Sequence, residues 1–271
     1  MKTHDPAITE AVERLRTAAR TATPCAPVRD IITTLDDAYA VQSHIVGAEI
    51  DSGRRIGGRK IGLTSTAVQQ QLGVDRPDFG ALYADEIFMS GHRVDLACFI
   101  APRVEAEIAF VLDRDLDMTH PSAADVQAAI GLVAPAIEIV DSRIIDWDIT
   151  LIDTVADNAS GAASVIGQAR SFASLDLDLR DVGMVMERGT QAVSVGAGAA
   201  CLGHPLVAVT WLAQELARRG NPLRAGDLIM SGALGPMASV TSAGAYEARI
   251  EGLGSVRVEF TAAHNEQKSS S

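Results

Sequence analysis

Residues 102–112 read PRVEAEIAFVL. Because the side chains of a β-strand alternate between its two faces, this stretch predicts a strand with Glu105 and Glu107 on one face and apolar residues on the other. Taken alone, an edge strand with one solvated face is the commoner explanation of such an alternation. Residues 109–112, however, are apolar on both faces. This continuation indicates that the two carboxylates point into the protein.

A second predicted strand, residues 134–141, carries Glu138 among apolar neighbours. A buried carboxylate is costly unless a cation or a metal compensates its charge. Converging carboxylates also raise one another's pKa unless a divalent ion balances them. Since no His or Cys lies nearby in the sequence, all ligands would be oxygens, which hard cations prefer. The sequence therefore predicts an Mg²⁺ or Mn²⁺ site formed by Glu105, Glu107 and Glu138.

The composition restricts the class of protein. The chain has 271 residues, a formal net charge of −12 and 47% hydrophobic residues. These values exclude a disordered chain and argue against a nucleic-acid binder, which needs clustered positive charge. No apolar run reaches the roughly 18 residues of a membrane helix, and no signal peptide is visible. Three cysteines without CxxC spacing predict reduced thiols in a cytoplasmic protein.

The hydrophobic pattern predicts an α+β protein. We expect a helical N-terminal region over residues 1–54, a β-rich catalytic domain over 55–261 and a disordered tail over 262–271. Within the second region, residues 73–80 and 153–161 are predicted loops, because both are rich in small and polar residues. A capping box at residues 122–125 predicts a helix that continues to residue 133.

Three segments outside the acidic strands are further candidates for chemistry. Lys60 lies between glycines, where desolvation would lower its pKa and permit proton transfer near neutrality; an exposed turn lysine is the simpler alternative. Residues 153–161 offer backbone N–H groups and hydroxyls to a ligand, and residues 231–237 form a Gly-rich turn after a strand. Either segment could equally be an ordinary turn.

Taken together, these segments resemble the hydratase/decarboxylase branch of the fumarylacetoacetate hydrolase superfamily. The resemblance extends from about residue 7 to residue 260 and rests on short blocks in a common order: residues 58–64, 69–75, 77–80, 102–110, 146–147, 153–160 and 203–206. It implies a mixed β-roll with a small helical N-terminal region, and a homo-oligomer. Residues 161–163 vary among members, so the resemblance does not determine the shape of the pocket wall around the substrate tail.

The resemblance also implies roles for individual residues. Glu105, Glu107 and Glu138 would bind the divalent metal, in agreement with the strand pattern. Lys60 and Asp78 would lie over the substrate as catalytic residues. The expected substrate-binding residues are Gly62, Leu63, Ser160, Gly232 and Ala233.

The activity that the resemblance implies is addition of water to 2-hydroxypenta-2,4-dienoate, giving 4-hydroxy-2-oxopentanoate in aromatic meta-cleavage catabolism. Its substrate is a small anionic 2-oxo or 2-hydroxy dienoate, and a downstream aldolase or a paralogous decarboxylase is an expected associate. One alternative is a 4-oxalocrotonate decarboxylase or a dicarboxylate hydratase, which needs a second cation such as Arg59, Arg103 or Arg143. Another is a non-catalytic partner subunit of such a complex.

Overall fold

The computed structural model describes residues 5–262. Two helices open the chain, α1 (Pro6–Thr21) and α2 (Leu35–Asp51), and both were predicted from the sequence. The side chains of Asp5 and Thr34 cap them by accepting backbone hydrogen bonds from Ala7 and Asp37, which would otherwise lack a helical partner. The tail predicted to be disordered lies outside the described residues except for Ala262.

Residues 55–262 of the described chain form two sheets and four α-helices, besides short 3-10 turns. The helices are α3 (Thr66–Leu72), α4 (Ala123–Ala129), α5 (Leu151–Ala156) and α6 (Pro205–Arg218). The strands are, in chain order, β1 (Ile56–Gly62), β2 (Asp78–Tyr83), β3 (Ile87–Met89), β4 (His92–Asp95), β5 (Arg103–Leu112), β6 (Ile130–Val140), β7 (Gly161–Ile166), β8 (Arg170–Ser171), β9 (Gly183–Arg188), β10 (Gln191–Ala197), β11 (Leu228–Ala233), β12 (Ala238–Ser239), β13 (Gly244–Ile250) and β14 (Gly254–Thr261).

The larger sheet is mixed and has the strand order β2-β1-β11-β5-β6-β7-β3. Within the described residues, β1 pairs with β11 and β3 with β7 in parallel, whereas the other pairs along this path are antiparallel. The smaller sheet has the order β10-β9-β13-β14-β4. Its strands β13 and β14 contact β6 of the larger sheet. The predicted α+β class is confirmed.

The two faces of the larger sheet differ in what they bury. Val104, Ala106 and Ile108 of β5 belong to the main hydrophobic core, which also includes residues of both N-terminal helices and of the smaller sheet. The opposite face carries a second apolar cluster that includes Ala109 and Met230. Glu105 and Glu107 alternate with the core residues, and they therefore lie on the face of this second cluster.

Three predictions of secondary structure were wrong, each because tertiary pairing outweighed local composition. Residues 78–80 were predicted as loop but begin β2, where Asp78 and Gly80 pair with β1. Residues 153–161 were predicted as loop but contain most of α5, capped by Thr150 and Asp153. The helix predicted to reach residue 133 ends at Ala129, because the following β-branched residues pair with β5 and β8.

The N-terminal helices share one hydrophobic core with both sheets, and among its members are Leu15 of α1, Tyr39 of α2 and Phe260 of β14. The domain boundary expected between residues 54 and 55 stays a prediction. None of the helices in the described part of the chain combines the length and apolar character needed to span a membrane.

Candidate metal centre and active site

The register of the large sheet brings three carboxylates together. Glu105 of β5 lies opposite Glu138 of β6, and Glu107 follows two residues along the same face. Each of the three side chains offers an oxygen atom, and these atoms all lie within 4.8 Å of one another. Both Glu107 and Glu138 have 0% exposed surface. The strand alternation read from the sequence thus produces a compact acidic cluster in which Glu107 and Glu138 are buried and Glu105 is half-buried.

The charges of this cluster are poorly compensated by the described residues. Burial and the like charges of Glu138 and Glu105 raise the pKa of Glu107 well above its ordinary value. Burial likewise raises the pKa of Glu138 to about 7. Glu107 Oε1 and both carboxylate oxygens of Glu138 lack a hydrogen-bond partner within the described residues. Unpaired buried carboxylate oxygens at this spacing fit a hard divalent cation.

Lys60 supplies a cation beside the cluster. Its Nζ lies 3.4 Å from Glu138 Oε2 and donates a hydrogen bond of 2.9 Å to the backbone oxygen of Ala159. The sequence predicted a lowered pKa for a desolvated lysine, and this was wrong. Burial does lower the pKa, but the surrounding carboxylates, led by Glu138 and Asp78, outweigh burial and raise it. The carboxylates therefore favour the protonated form of Lys60.

Asp78 lies at the start of β2, opposite Gly62 of β1. It is 1% exposed, and its Oδ2 accepts a 3.2 Å hydrogen bond from Thr154 Oγ1. Its other oxygen, Oδ1, has no hydrogen-bond partner in the described part of the chain. A Cβ atom at Gly62 would lie 2.2 Å from this oxygen, so the glycine leaves room for the carboxylate. Burial raises the pKa of Asp78, although Lys60 opposes the effect.

A left-handed turn at residues 158–160 covers this part of the sheet. Asn158, Ala159 and Ser160 have φ values of 55°, 51° and 53°, a region that costs non-glycine residues roughly 1–2 kcal/mol each. Ser160 is 3% exposed, and its Oγ has no hydrogen-bond partner among residues 5–262. Strained residues of this kind cluster at ligand sites.

The remaining predicted substrate-binding residues border the acidic cluster on the β11 and β1 sides. The backbone N–H of Gly232 donates a 2.8 Å hydrogen bond to Glu107 Oε2, and Ala233 pairs with Glu107 in register. Gly232 has a φ of +103°, and a Cβ there would lie 2.4 Å from Thr64 Oγ1. Leu63 follows Gly62 with a φ of 55°, and its carbonyl accepts a hydrogen bond from Gln69.

Sequence reasoning missed three polar residues of this region. Ser164 lies opposite Glu138 on β7, is fully buried, and has an Oγ without a partner among the described residues. Its signal was a single hydroxyl in the apolar run of residues 162–166. Thr154 and Asn158 lie inside a segment that was predicted to contact a ligand, but they were not singled out. Only the tertiary contacts separate them from their neighbours.

The three arginines considered for a second carboxylate have different environments. Arg143 is bound to Asp157 and to two backbone oxygens. Arg59 precedes Lys60 on β1 and so projects from the opposite face of the sheet. Arg103 shares the face of Glu105, stacks 4.1 Å over the Trp147 ring and forms no ion pair within the described residues. Arg103 is therefore the available cation.

Comparison with known proteins places this fold and site in a family. The model of the fumarylacetoacetate (FAA) hydrolase C-terminal domain matches residues 59–261, which contain all of the site residues described above. The chain belongs to the fumarylacetoacetate hydrolase family.

Two proteins similar to this chain in sequence are named as hydratases. A 2-keto-4-pentenoate hydratase of Paraburkholderia xenovorans (strain LB400) is 53% identical over 253 residues, covering 93% of this chain and 94% of the relative. A 2-hydroxyhexa-2,4-dienoate hydratase of Comamonas testosteroni is 42% identical, covering 92% of this chain and 96% of the relative.

A solved structure has the same fold over nearly its whole length. The 4-oxalocrotonate decarboxylase of Pseudomonas putida G7, complexed with magnesium and adipate, superposes with a TM-score of 0.89. The two chains are 36% identical, and the match covers 96% of this chain and 99% of the decarboxylase. Hydratases and a decarboxylase therefore both resemble this chain.

Proposed function

We propose that this chain is a metal-dependent hydro-lyase that adds water to 2-hydroxypenta-2,4-dienoate to give 4-hydroxy-2-oxopentanoate in aromatic meta-cleavage catabolism. The observation that carries the proposal is the convergence of Glu105, Glu107 and Glu138 beside an ammonium group at Lys60. The 53% identity to a 2-keto-4-pentenoate hydratase favours this activity over others with the same fold.

Glu105, Glu107 and Glu138 would hold Mg²⁺ or Mn²⁺, since unpaired carboxylate oxygens are the ligands that hard cations prefer. A divalent ion bound there supplies Lewis-acid stabilisation of negative charge on the substrate's 2-oxygen. The decarboxylase relative is complexed with magnesium, which supports the choice of metal. The positive charge also explains how an acidic protein holds an anionic substrate.

Lys60 and Asp78 are the proposed proton-handling residues. Conversion of the dienoate adds a proton at C5 while the 2-hydroxyl loses its proton, which gives the 2-oxo-3-enoate; water then adds as OH at C4 and H at C3. Lys60 is the proposed general acid, because its Nζ is buried beside the acidic cluster, 3.4 Å from Glu138 Oε2. The unpartnered Oδ1 of Asp78 orients water, or Asp78 acts by setting the charge state of Lys60.

The backbone at Gly62 and Leu63 and the hydroxyl of Ser160 are proposed to bind the substrate, together with Gly232 and Ala233. The buried, unpartnered Oγ of Ser160 supports this role, because such a hydroxyl gains most from a ligand partner. Gly232 supports it differently, since its N–H holds Glu107 while its missing side chain leaves space next to Thr64.

The test of this function is loss of the dienoate chromophore with the purified full-length protein. We expect turnover to cease after exhaustive treatment with EDTA and to return when Mg²⁺ or Mn²⁺ is restored. Product identity is checked by NMR, since hydration leaves all five carbons in the product whereas decarboxylation releases one as CO₂. Turnover that survives complete chelation would contradict the proposal.

A dicarboxylate substrate is the second candidate, because Arg103 is a cation on the face of the acidic cluster with no ion-pair partner in the described residues. The decarboxylase relative holds adipate, a dicarboxylate. If Arg103 binds a distal carboxylate, Arg103→Gln will weaken inhibition by adipate more than inhibition by pyruvate. Equal loss for both ligands, or no loss, favours the monocarboxylate substrate.

A non-catalytic partner subunit is the alternative of another class, and turnover by the purified chain alone excludes it. We further propose a cytoplasmic homo-oligomer that associates with a downstream aldolase or a paralogous decarboxylase. Light scattering after size-exclusion chromatography measures the oligomer, and co-purification of the co-expressed enzymes measures the association. A monomer, or separate elution, contradicts the respective part.

A further inference from the structure

The left-handed turn at residues 158–160 is an unusual piece of backbone. Asn158, Ala159 and Ser160 are three consecutive non-glycine residues with positive φ. Asparagine tolerates this conformation better than most residues, whereas alanine and serine do not. Such a turn persists only where the surrounding structure holds it in place.

The side chain of Asn158 fixes the turn to strand β2. Its Oδ1 accepts a 2.8 Å hydrogen bond from the backbone N–H of Ala81, and its Nδ2 donates one of 2.9 Å to the backbone oxygen of the same residue. The amide thus replaces a strand neighbour along β2. Gly80 permits the close approach, because a Cβ there would lie 2.4 Å from the backbone oxygen of Asn158.

The turn held in this way ends on the active-site lysine. The backbone oxygen of Ala159 accepts the 2.9 Å hydrogen bond from Lys60 Nζ, which also lies 3.4 Å from Glu138. Lys60 itself pairs with Gly80 across β1 and β2. The turn is therefore bonded to β2 through the Asn158 amide and to the Lys60 ammonium through the Ala159 carbonyl.

We propose that Asn158 is a positioning residue, whose two hydrogen bonds to Ala81 hold the Ala159 carbonyl where it fixes Lys60 Nζ beside Glu138. This inference rests on the proposed function, which assigns proton transfer to Lys60. Asn158 acts on the reaction through Lys60, because both polar atoms of its amide bond to the backbone of Ala81.

An asparagine at position 158 has a second explanation, namely that this residue type tolerates positive φ and that its hydrogen bonds do not matter. The variants Asn158→Gly and Asn158→Ala separate the two explanations. Glycine adopts positive φ more readily than asparagine but cannot bond to Ala81, whereas alanine lacks both properties. If conformation alone matters, N158G will behave as the wild type. Asn221→Ala, at an exposed asparagine after α6, is the matched control.

The kinetic test compares kcat and KM of the metal-loaded variants. We expect kcat of N158G and N158A to fall roughly 10–100-fold, the cost of a small misplacement of a catalytic group. We expect KM to rise as well, because Ser160, a proposed substrate-binding residue, belongs to the same turn. N221A should match the wild type. Wild-type kcat in N158G would overturn the proposal.

A double-mutant cycle asks whether Asn158 acts through Lys60. In a Lys60→Met background, N158G should cause no further loss of the residual rate, since the group it positions is gone. Independent, multiplicative losses would overturn the proposal. If Lys60→Met itself retains full activity, the role of Lys60 in the proposed function fails instead, so the two failures are distinguishable.

A readout independent of turnover is the reactivity of the Lys60 amine. Lys60 is the sole lysine between residues 5 and 262 and is 2% exposed, so peptide mapping after reductive methylation reports it directly. We expect its labelling rate to rise several-fold in N158G and to stay unchanged in N221A. Protection equal to the wild type in N158G would show that the turn does not depend on the amide, and would overturn the proposal.

Discussion

Lys60 and Glu138 form a buried ion pair in which Nζ lies 3.4 Å from Oε2, with side-chain exposures of 3% and 0%. They are separated by two intervening strands, β11 and β5, and meet because their side chains project from one face of the sheet. The carboxylates around Lys60 raise its pKa, and Lys60 in turn opposes the rise in the pKa of Glu138 caused by burial. Each of the two groups therefore shifts the pKa of the other in the direction that favours the charged form.

Removal of the lysine ammonium should abolish most turnover without preventing metal binding. We expect Lys60→Met to lower kcat by about 10²–10⁴-fold, the usual contribution of a general acid–base group. Lys60→Arg is the control for charge, because arginine stays cationic but gives up its proton poorly. If K60R restores wild-type kcat, Lys60 acts through its charge and not by proton transfer. Isothermal titration with Mn²⁺ checks the metal site.

Neutralisation of one acidic ligand should separate metal binding from folding. We expect Glu107→Gln to lose the rise in Tm that Mg²⁺ or Mn²⁺ causes, since a ligand that binds the native state at 100 times its Kd stabilises by about 2.7 kcal/mol. Without metal, the variant should be at least as stable as the wild type, because glutamine replaces a carboxylate whose charged form burial and the charges of Glu138 and Glu105 disfavour. Glu13→Gln, at an exposed position of α1, should keep the metal-dependent shift. Its retention in E107Q would contradict the assignment.

Enlargement of Gly80 should disturb the turn above it. A Cβ at residue 80 meets the Asn158 carbonyl at 2.4 Å, so Gly80→Ala should lower the free energy of unfolding by about 1–3 kcal/mol and also reduce kcat. Gly47→Ala is the control, because nothing lies within 4 Å of its Cβ position in α2. That change should stabilise by about 0.5–1 kcal/mol through helix propensity. A G80A protein as stable and active as wild type would show that the turn can shift.

Asp153 should link stability to pH. It is fully buried, and it accepts hydrogen bonds from Arg29 Nη1, from the backbone N–H groups of Val28, Arg29 and Thr150, and from the Thr150 hydroxyl. Burial raises its pKa, but these donors outweigh burial and lower it below the ordinary 3.8. The stabilisation is thus fully present above pH 3.8 and is lost as the pH falls through the lower pKa of the folded protein.

We expect Asp153→Ala to lower the free energy of unfolding by about 1–3 kcal/mol at pH 7, the cost of leaving buried backbone N–H groups such as that of Val28 without an acceptor. Asp148→Ala is the control, since Asp148 bonds to the same arginine but is 65% exposed, and such pairs contribute roughly 0–1 kcal/mol. Urea titrations at pH 7 and below pH 3.8 measure both effects. Equal losses for the two variants would contradict this account.

Local sequence was sufficient to predict elements whose own hydrophobic pattern determines both their secondary structure and their buried face. The hydrophobic pattern predicted the helical region over residues 1–54 that contains α1, and the alternation around Glu105 predicted β5 with its carboxylates pointing inward. In both cases the same hydrophobic pattern determines the element and the face that it buries. The grouping of Glu105 and Glu107 followed from this without knowledge of any partner strand.

Pairing between distant segments decided the rest. Composition predicted loop for residues 78–80 and 153–161, yet pairing with β1 makes the first a strand, and the contacts of Asp153 hold the second as a helix. The raised pKa of Lys60 and the two bonds from Asn158 to Ala81 likewise depend on segments far apart in the chain. The sequence by itself determined which carboxylates share a strand face. The register between strands decided which cation, hydroxyl and turn meet them, because charge and hydrogen bonding depend on distance in space.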